Sequence, residues 1–274
     1  MRPLIPLSLG AVLLVACAAT PPPAPSVPPV PPAPSVPAAP VAPATPHAPA
    51  PASEPTAPDP MASNQPVEIF PHVRVSVPSR LVEFDAEVPA YAYVSEKGVV
   101  FLEVLVCTPQ TREHEALLLT HARAADVHAA LLMIGLRPGA PGAWKWEEKT
   151  LIPIPPTGDR VDVRVAVASG TPLVERPIGD WVYNTSDGTA LSASASGFLF
   201  SGSAFVKRAG REWYAADADG TLVGLTPFGS ETVAWARVVS PESSVDEPVW
   251  AVKTGAQPPA GTPVLVRLRP SVAP

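Results

Sequence analysis

The chain has 274 residues, of which 46% are hydrophobic and 16% charged, and its formal net charge at pH 7 is −6. This acidic balance argues against nucleic-acid binding, which depends on a basic surface that neutralises phosphates. Proline is far above its usual share of about 5%, and the excess is concentrated between positions 21 and 60. The remaining residues suffice for one large domain or two small ones.

The N-terminus has the features of a targeting segment. The apolar run 4–15 is too short to cross a bilayer core of about 30 Å. It ends in Leu14-Val15-Ala16-Cys17, an order similar to the bacterial lipobox, in which the cysteine thiol accepts diacylglycerol. We therefore predict a signal peptide over residues 1–16 and a lipid on Cys17. The alternative is an ordinary signal peptide that is cleaved after Ala16 or Ala18.

Residues 17–65 are predicted to be a tether rich in proline and alanine. Such a segment cannot bury a core and favours an extended, polyproline-like chain of about 3.1 Å per residue. It is interpreted as a stalk that lifts a domain off a membrane, or as an unspecialised linker. A lipid on Cys17 would place the protein in the cell envelope. In a host with two membranes we expect the outer membrane or the periplasmic face.

Alternating apolar and polar residues predict that the domain over residues 66–274 is mainly β-structure. The clearest strands are Val73–Val77, Leu81–Val88 and Val161–Val167. The apolar run Val99–Val106, broken only by Glu103, is typical of a strand covered on both faces. Further short strands are predicted at Asp180–Tyr183, Phe198–Phe200, Ala204–Lys207, Arg211–Ala216, Thr221–Leu225, Val233–Val239, Val249–Lys253 and Val264–Leu268.

One convincing helix is predicted near residues 125–135. Val127, Ala130, Leu131 and Ile134 recur at helical spacing, and Gly135 fits the left-handed residue that closes a helix. The fold class is therefore α+β, mainly β, with about ten short strands and a possible subdivision near residue 171.

Two connections are also predicted around these elements. The segment Glu113–His121 fits a short helix or a strand; we favour a strand that returns through a hairpin turn at Thr111-Arg112. Lys97-Gly98 is expected to form another turn, which opens the strand Val99–Val106.

Several motifs carry a family resemblance. They are Cys107-Thr108-Pro109 after an apolar strand, Glu113–Leu118, Val127–Leu132, Pro138-Gly139, Gly202–Val206, Tyr214–Asp217 and Gly261–Val264. Together they resemble the YdjY-type domain over roughly Val67 to Pro270. The resemblance implies an envelope-associated, β-rich domain with no settled activity. Some relatives carry iron–sulfur motifs, which the two cysteines of this chain cannot supply.

His114, Glu115 and His128 are the candidate metal ligands, since imidazole and carboxylate groups bind zinc. The metalloprotease signature is absent, because Leu118 stands where the second histidine of that motif would be. The alternative is that these side chains make structural hydrogen bonds. We also expect Glu115 to contact the start of the helix near His128, where exposed amide groups favour negative charge.

Cys107 and the segment Asp217–Gly220 are two further candidate sites. Cys107 is a candidate nucleophile beside His114, although at the end of an apolar strand a cysteine usually packs as a small hydrophobic residue. Asp217-Ala218-Asp219-Gly220 is similar to part of a calcium loop, but Ala215 and Thr226 stand where two further ligands should be, so we predict a hairpin turn.

Two hypotheses for the function follow. The first is a non-catalytic envelope module, held on the membrane through Cys17, that binds an envelope protein or a cell-wall component and needs no cofactor. The second is a metal-dependent enzyme, such as a hydrolase, that uses zinc on His114, Glu115 and His128. The first is favoured because the sequence contains no complete catalytic set.

Overall fold

The computed structural model describes residues 59, 62–90, 99–167, 173–240 and 246–271. The turn expected at Lys97-Gly98 and the boundary expected near residue 171 lie outside these residues. The described strands are β1 (Val67–Phe70), β2 (Val73–Ser76), β3 (Leu81–Glu87), β4 (Val104–Cys107), β5 (Ala116–Leu119), β6 (Ala143–Glu147), β7 (Thr150–Ile154), β8 (Arg160–Val167), β9 (Val174–Pro177), β10 (Val182–Asn184), β11 (Phe198–Leu199), β12 (Phe205–Arg208), β13 (Arg211–Tyr214), β14 (Thr221–Gly224), β15 (Val233–Trp235), β16 (Trp250–Val252) and β17 (Pro263–Pro270). The described helices are α1 (Ala124–Met133) and α2 (Ala215–Asp219).

Eight of the strands close on themselves to form a barrel. Their order is β3, β17, β8, β11, β15, β14, β4 and β5, and the ring closes where Glu87 of β3 pairs with Leu119 of β5. β4–β5 and β14–β15 are parallel pairs, whereas the other pairs of the ring are antiparallel. β1 and β2 extend the sheet beyond β3, and β9 pairs with β8. Closure leaves few unpaired edges, which exposed sheets must otherwise protect.

Helix α1 packs against β2 and β3, and Val127 and Leu131 are among its buried residues. It ends in a Schellman motif: Gly135 has φ +81°, its N–H donates to the carbonyl of Leu132, and the N–H of Leu136 donates to that of Leu131. The prediction of this helix and of its closing glycine is confirmed. Within the described part of the chain, no helix combines the length and the apolar composition needed to cross a bilayer.

A row of charged residues runs across the strands of the sheet, and we call it the sheet network. It comprises Arg74, Glu83, Arg267, Arg164 and Glu175. Arg74 Nε and Arg267 Nε lie 2.8 and 2.7 Å from the two carboxylate oxygens of Glu83. Arg267 and Arg164 each also bind Glu175, at 2.7 and 2.8 Å. Each carboxylate therefore meets at least two guanidinium groups.

The mainly β architecture is confirmed, but two details of the predicted fold class are wrong. The described residues contain seventeen strands rather than about ten, and a second helix, α2, follows β13. Many strands have only two to four residues, which is too short for an alternating pattern to emerge. Asp180, expected in a strand, lies in a 3₁₀ turn that precedes β10.

The long strand predicted over Val99–Val106 is also shorter than expected. The strand β4 begins only at Val104, whereas Val99 is exposed and Phe101 makes an isolated bridge to Ala251. The four residues of β4 are all buried, as the apolar run predicted. A polar residue, Glu103, stands where the chain bends before the strand.

The hairpin predicted at Thr111-Arg112 is wrong. Residues 113–115 form a 3₁₀ turn, and β5 then runs parallel to β4, with Val104 opposite Ala116. The connection returns along the length of β4 before β5 begins. The parallel register of β4 and β5 brings Glu103 next to Glu115. The N–H of Glu103 donates to the carbonyl of Glu115 at 3.1 Å.

The hairpin turn predicted at Asp217–Gly220 is a short helix instead. Residues 215–219 form α2, and Gly220 closes it with φ +76°. A Cβ at Gly220 would lie 2.4 Å from the Thr111 side chain, so glycine is required both by the conformation and by the space.

Candidate functional site

A cavity of about 190 Å³ opens beside β4 and β16. Three carboxyl side chains, those of Glu103, Glu115 and Asp246, lie in its wall together with the aromatic rings of Phe101 and Trp250. Leu102, Leu225, Thr226, Val239, Ser240, Pro248 and Val249 complete the lining. We call this cavity the acidic pocket. It combines apolar walls with a few polar groups, as small-ligand sites do.

Backbone hydrogen bonds fix the position of Glu103 in the acidic pocket. Its carbonyl accepts from the N–H groups of Leu225 and Thr226, at 2.9 and 3.1 Å, and its own N–H donates to Glu115. Glu115 ends the 3₁₀ turn that precedes β5, so the parallel β4–β5 pair places the two carboxyls side by side. Their side chains are hydrogen-bonded to each other.

The Glu103–Glu115 pair titrates near neutral pH rather than in the usual range of a carboxyl group. Burial, and then the negative charge of Glu115, raise the pKa of Glu103 to about 7. Arg112 acts in the opposite direction: its Nη1 lies 3.2 Å from Glu115 Oε1. One guanidinium thus acts on two carboxyl groups. Because these two carboxyl groups are hydrogen-bonded to each other, ionisation of one disfavours ionisation of the other.

Glu231 is a further buried acid near the same arginine. Burial raises its pKa to about 7, while backbone N–H groups and Arg112 favour the charged form. Its Oε1 accepts from the N–H of Phe228, whereas Oε2 has no hydrogen-bond partner among the described residues. The guanidinium of Arg112 stacks on the Phe228 ring, 3.6 Å from its centroid. Arg112 therefore forms an ion pair with Glu115 and favours the charged forms of Glu103 and Glu231. We call Arg112, Glu103, Glu115 and Glu231 the pocket network.

The predicted metal ligands do not meet in one place. His114 is 72% exposed, and its Nε2 lies 3.7 Å from Glu115 Oε2. His128 instead has Nδ1 2.9 Å from the Tyr214 hydroxyl, which also donates to the Gly202 carbonyl. Burial lowers the pKa of His128, which favours neutral imidazole. Within the described ranges no hydrogen bond or ion pair joins His128 to Glu115.

Negative charge at the start of α1 was expected from Asp126 and Glu115; Asp126 lies in its first turn, but Asp217 takes the place expected for Glu115. Asp217 Oδ1 accepts from the N–H of Ala125 at 3.1 Å, and Asp217 Oδ2 lies 3.0 Å from Arg123. Among the described residues, no group of three or more histidine, cysteine, aspartate or glutamate side chains is arranged to hold a metal ion. The zinc site at His114, Glu115 and His128 remains a prediction that metal analysis of the purified protein would test.

Cys107 is fully buried at the end of β4. Burial raises the pKa of its thiol to about 11, and the thiolate that a nucleophile requires is therefore disfavoured. This environment supports the interpretation of Cys107 as a small hydrophobic residue.

Sequence reasoning found Glu115 but missed its partners. Glu103 was visible as the single charge in an apolar run, a pattern that indicates a buried carboxyl with a specific partner. The sequence places Arg112 in a turn, and nothing in the local pattern around Glu231 marks this residue as buried. Their association depends on the pairing of β4 with β5 and with β14, which is not a local property.

The closed mixed sheet and its acidic pocket define a mainly β module. The model of the YdjY domain matches residues 73–269, so the chain belongs to the YdjY domain family and the resemblance found in its motifs is confirmed. No curated protein and no solved structure matches the chain significantly.

Proposed function

We propose that the protein is an envelope lipoprotein whose β domain is a binding module for a ligand that carries an amine. The acidic pocket supports this proposal, because a carboxyl pair whose Glu103 has a pKa of about 7 lines a cavity with aromatic walls. The ligand would belong to an envelope protein or a cell-wall component. The module needs neither a nucleophile nor a cofactor for this task.

The charges in the pocket favour a cation. Arg112 balances one carboxylate of the Glu103–Glu115 pair, and the raised pKa of Glu103 leaves the pair partly protonated near pH 7. Asp246 accepts a hydrogen bond from the N–H of Ser240 at 2.7 Å and has no cationic partner among the described residues. The pocket therefore carries a net negative charge, and the rings of Phe101 and Trp250 add the surfaces on which cations bind well.

Binding of a cation should be linked to the release of a proton. An amine next to Glu103 favours the carboxylate and so lowers its pKa. The affinity should then rise with pH up to about pH 7, where free Glu103 loses its proton. A neutral ligand of the same size would lack this dependence.

Calorimetric titration with butylamine, and with butanol as the neutral analogue, tests the proposal. We expect binding of butylamine only, and an affinity at least roughly tenfold lower in Glu103→Gln and Glu115→Gln, since each variant removes a charge-assisted hydrogen bond. Glu212→Gln is the matched control, because Glu212 is an exposed glutamate outside the pocket. Equal affinity for the amine and the alcohol would contradict the proposal.

The lipid anchor is tested separately. Residues 1–58 lie outside the described residues, and the anchor rests on the Leu14–Cys17 order and the proline-rich stretch that follows. Expression of Cys17→Ser in a bacterial host should move the protein from the membrane fraction to the soluble fraction. Cys107→Ser should leave the distribution unchanged, and retention of Cys17→Ser in membranes would show that the lipid is not the anchor.

A further inference from the structure

The hairpin of β12 and β13 carries an unusual face. Among the described strands, these two pair only with each other. Their turn, Ala209-Gly210, has φ values of +51° and +74°, which is the conformation of tight two-residue hairpins. The hairpin is therefore a small, well-defined sheet that stands beside the closed ring.

One face of this hairpin combines cations with an indole ring. Val206 is opposite Trp213, and Arg208 is opposite Arg211. Since side chains alternate along a strand, these four residues share one face; we call it the cationic face. Trp213 is 48% exposed, and both arginines are exposed.

The two arginines lack carboxylate partners. Like charges directly opposite each other in an antiparallel pair destabilise the sheet. Neither Arg208 nor Arg211 forms an ion pair with any residue that the structure describes. The hairpin of β6 and β7 differs in this respect, because its Lys145 lies 3.0 Å from Glu147. An external anion would relieve the repulsion between Arg208 and Arg211.

We propose that the cationic face docks on an anionic phospholipid bilayer. Arginine side chains bind lipid phosphates, and tryptophan prefers the level of the headgroups. A groove of about 590 Å³ beside the face has room for headgroup atoms. It is lined by Arg123, Arg208 and Trp213, and also by Glu212 and by Asp217, which is paired with Arg123.

The charge of the rest of the chain favours one orientation. The whole chain has a net charge of −6, so an anionic bilayer repels most of the protein and attracts the cationic face. The hairpin would thus orient a domain that the lipid on Cys17 only tethers. The contact is distinct from the acidic pocket, and its test uses chains without the lipid, so either proposal fails independently of the other.

The experiment measures binding to vesicles in the full chain with Cys17→Ser, which removes the lipid. Vesicles of phosphatidylcholine with one third phosphatidylglycerol are compared with vesicles of phosphatidylcholine alone. We expect tighter binding to the anionic vesicles, and at least a roughly tenfold loss in Arg208→Glu/Arg211→Glu, since both cations near the anionic surface are replaced by anions. The preference should also decline as salt is raised.

Lys145→Glu/Lys149→Glu is the matched control, because it changes the net charge by the same amount on the other hairpin. It should retain the preference for anionic vesicles. Brominated lipid should quench less fluorescence in Trp213→Phe than in Trp146→Phe, although Trp146 is 69% exposed. Equal losses in the two double variants would overturn the proposal. Arginine-dependent binding of glycerol phosphate without any preference for vesicles would also overturn it, since the face would then bind a free anion.

Discussion

The sheet network and the pocket network are built from the same two residue types and behave in opposite ways. In the sheet network, Glu83 and Glu175 each contact at least two arginines. Burial raises the pKa of Glu175, but hydrogen bonds from Arg269, which also lies in β17, and from Arg267 outweigh it and lower this pKa to about 2. In the pocket network, three glutamates share Arg112, and the pKa values of Glu103 and Glu231 rise to about 7. Burial raises the pKa in both networks; hydrogen bonds from arginines outweigh it at Glu175, whereas the single Arg112 does not outweigh it at Glu103 and Glu231.

The largest expected effect is the loss of a carboxylate from the sheet network. Glu83→Ala leaves Arg74 and Arg267 without the carboxylate they share, and the Glu83 side chain is only 7% exposed. We expect the free energy of unfolding to fall by about 3 kcal/mol, the scale for breaking a buried ion pair. Urea denaturation measures this. Glu147→Ala, which breaks an exposed pair with Lys145, should change it by less than about 0.5 kcal/mol.

The second effect is a dependence of stability on pH that comes from the pocket network. The pKa of Glu231 is raised from 4.5 to about 7, so the folded state binds this proton more tightly than the unfolded state. Its contribution is complete below about pH 4.5 and is lost as the pH rises through 7. Glu231→Gln cannot ionise, and we expect its stability to change less between pH 5 and pH 8, by roughly 1–3 kcal/mol. An unchanged pH profile in this variant would show that Glu231 does not titrate in that range.

Removal of Arg112 should raise the pKa values of the glutamates in the pocket network further above those of the sheet network. Arg112→Gln deletes the charge that lowers the pKa values of Glu103 and Glu231. Side-chain carboxyl resonances followed by NMR should then titrate at higher pH than in the parent protein. Arg176→Gln is the control, because Arg176 belongs to neither network. Titration of Glu103 at an unchanged pH would mean that Arg112 is too well screened to act on it.

The smallest effect is expected on the acid side of the pH profile. The pKa of Glu175 is lowered from 4.5 to about 2, so the sheet network stabilises the fold above about pH 4.5 and this contribution is lost as the pH falls toward 2. Glu175→Gln should be less stable at neutral pH and should lose less of its remaining stability on acidification. Thermal melts between pH 2 and pH 6 measure the difference. Parallel profiles for the two proteins would contradict this assignment.

The spacing of apolar residues predicted those strands and helices that are long enough for the spacing to repeat. The strands β3 and β8 have seven and eight residues, and both were recognised from alternating apolar residues. Helix α1 was recognised from spacing, and Gly135 from its role at a helix end. A strand such as β11 has only two residues and forms because it pairs with strands far away in the chain. Two residues are too few to show an alternating pattern in the sequence.

The acidic pocket escaped prediction for a related reason. A hairpin turning at Thr111-Arg112 would set Glu103 opposite Thr120, far from Glu115. The parallel register of β4 and β5 instead makes Glu103 and Glu115 neighbours. The sheet network is equally non-local, since Glu83 and Arg267 meet only because the last strand of the chain pairs with β3. Composition identified the charged residues, but topology decided which of them share a proton.

The central claim is that the Glu103–Glu115 pair releases a proton when an amine binds in the acidic pocket. Its most direct test is calorimetric titration with butylamine at pH 6.5 in two buffers that differ in their enthalpy of ionisation. Because the pKa of free Glu103 is about 7, we predict that the binding enthalpy depends on the buffer, with between half and one proton released per amine bound. The dependence should vanish in Glu103→Gln. Binding with the same enthalpy in both buffers would contradict the account.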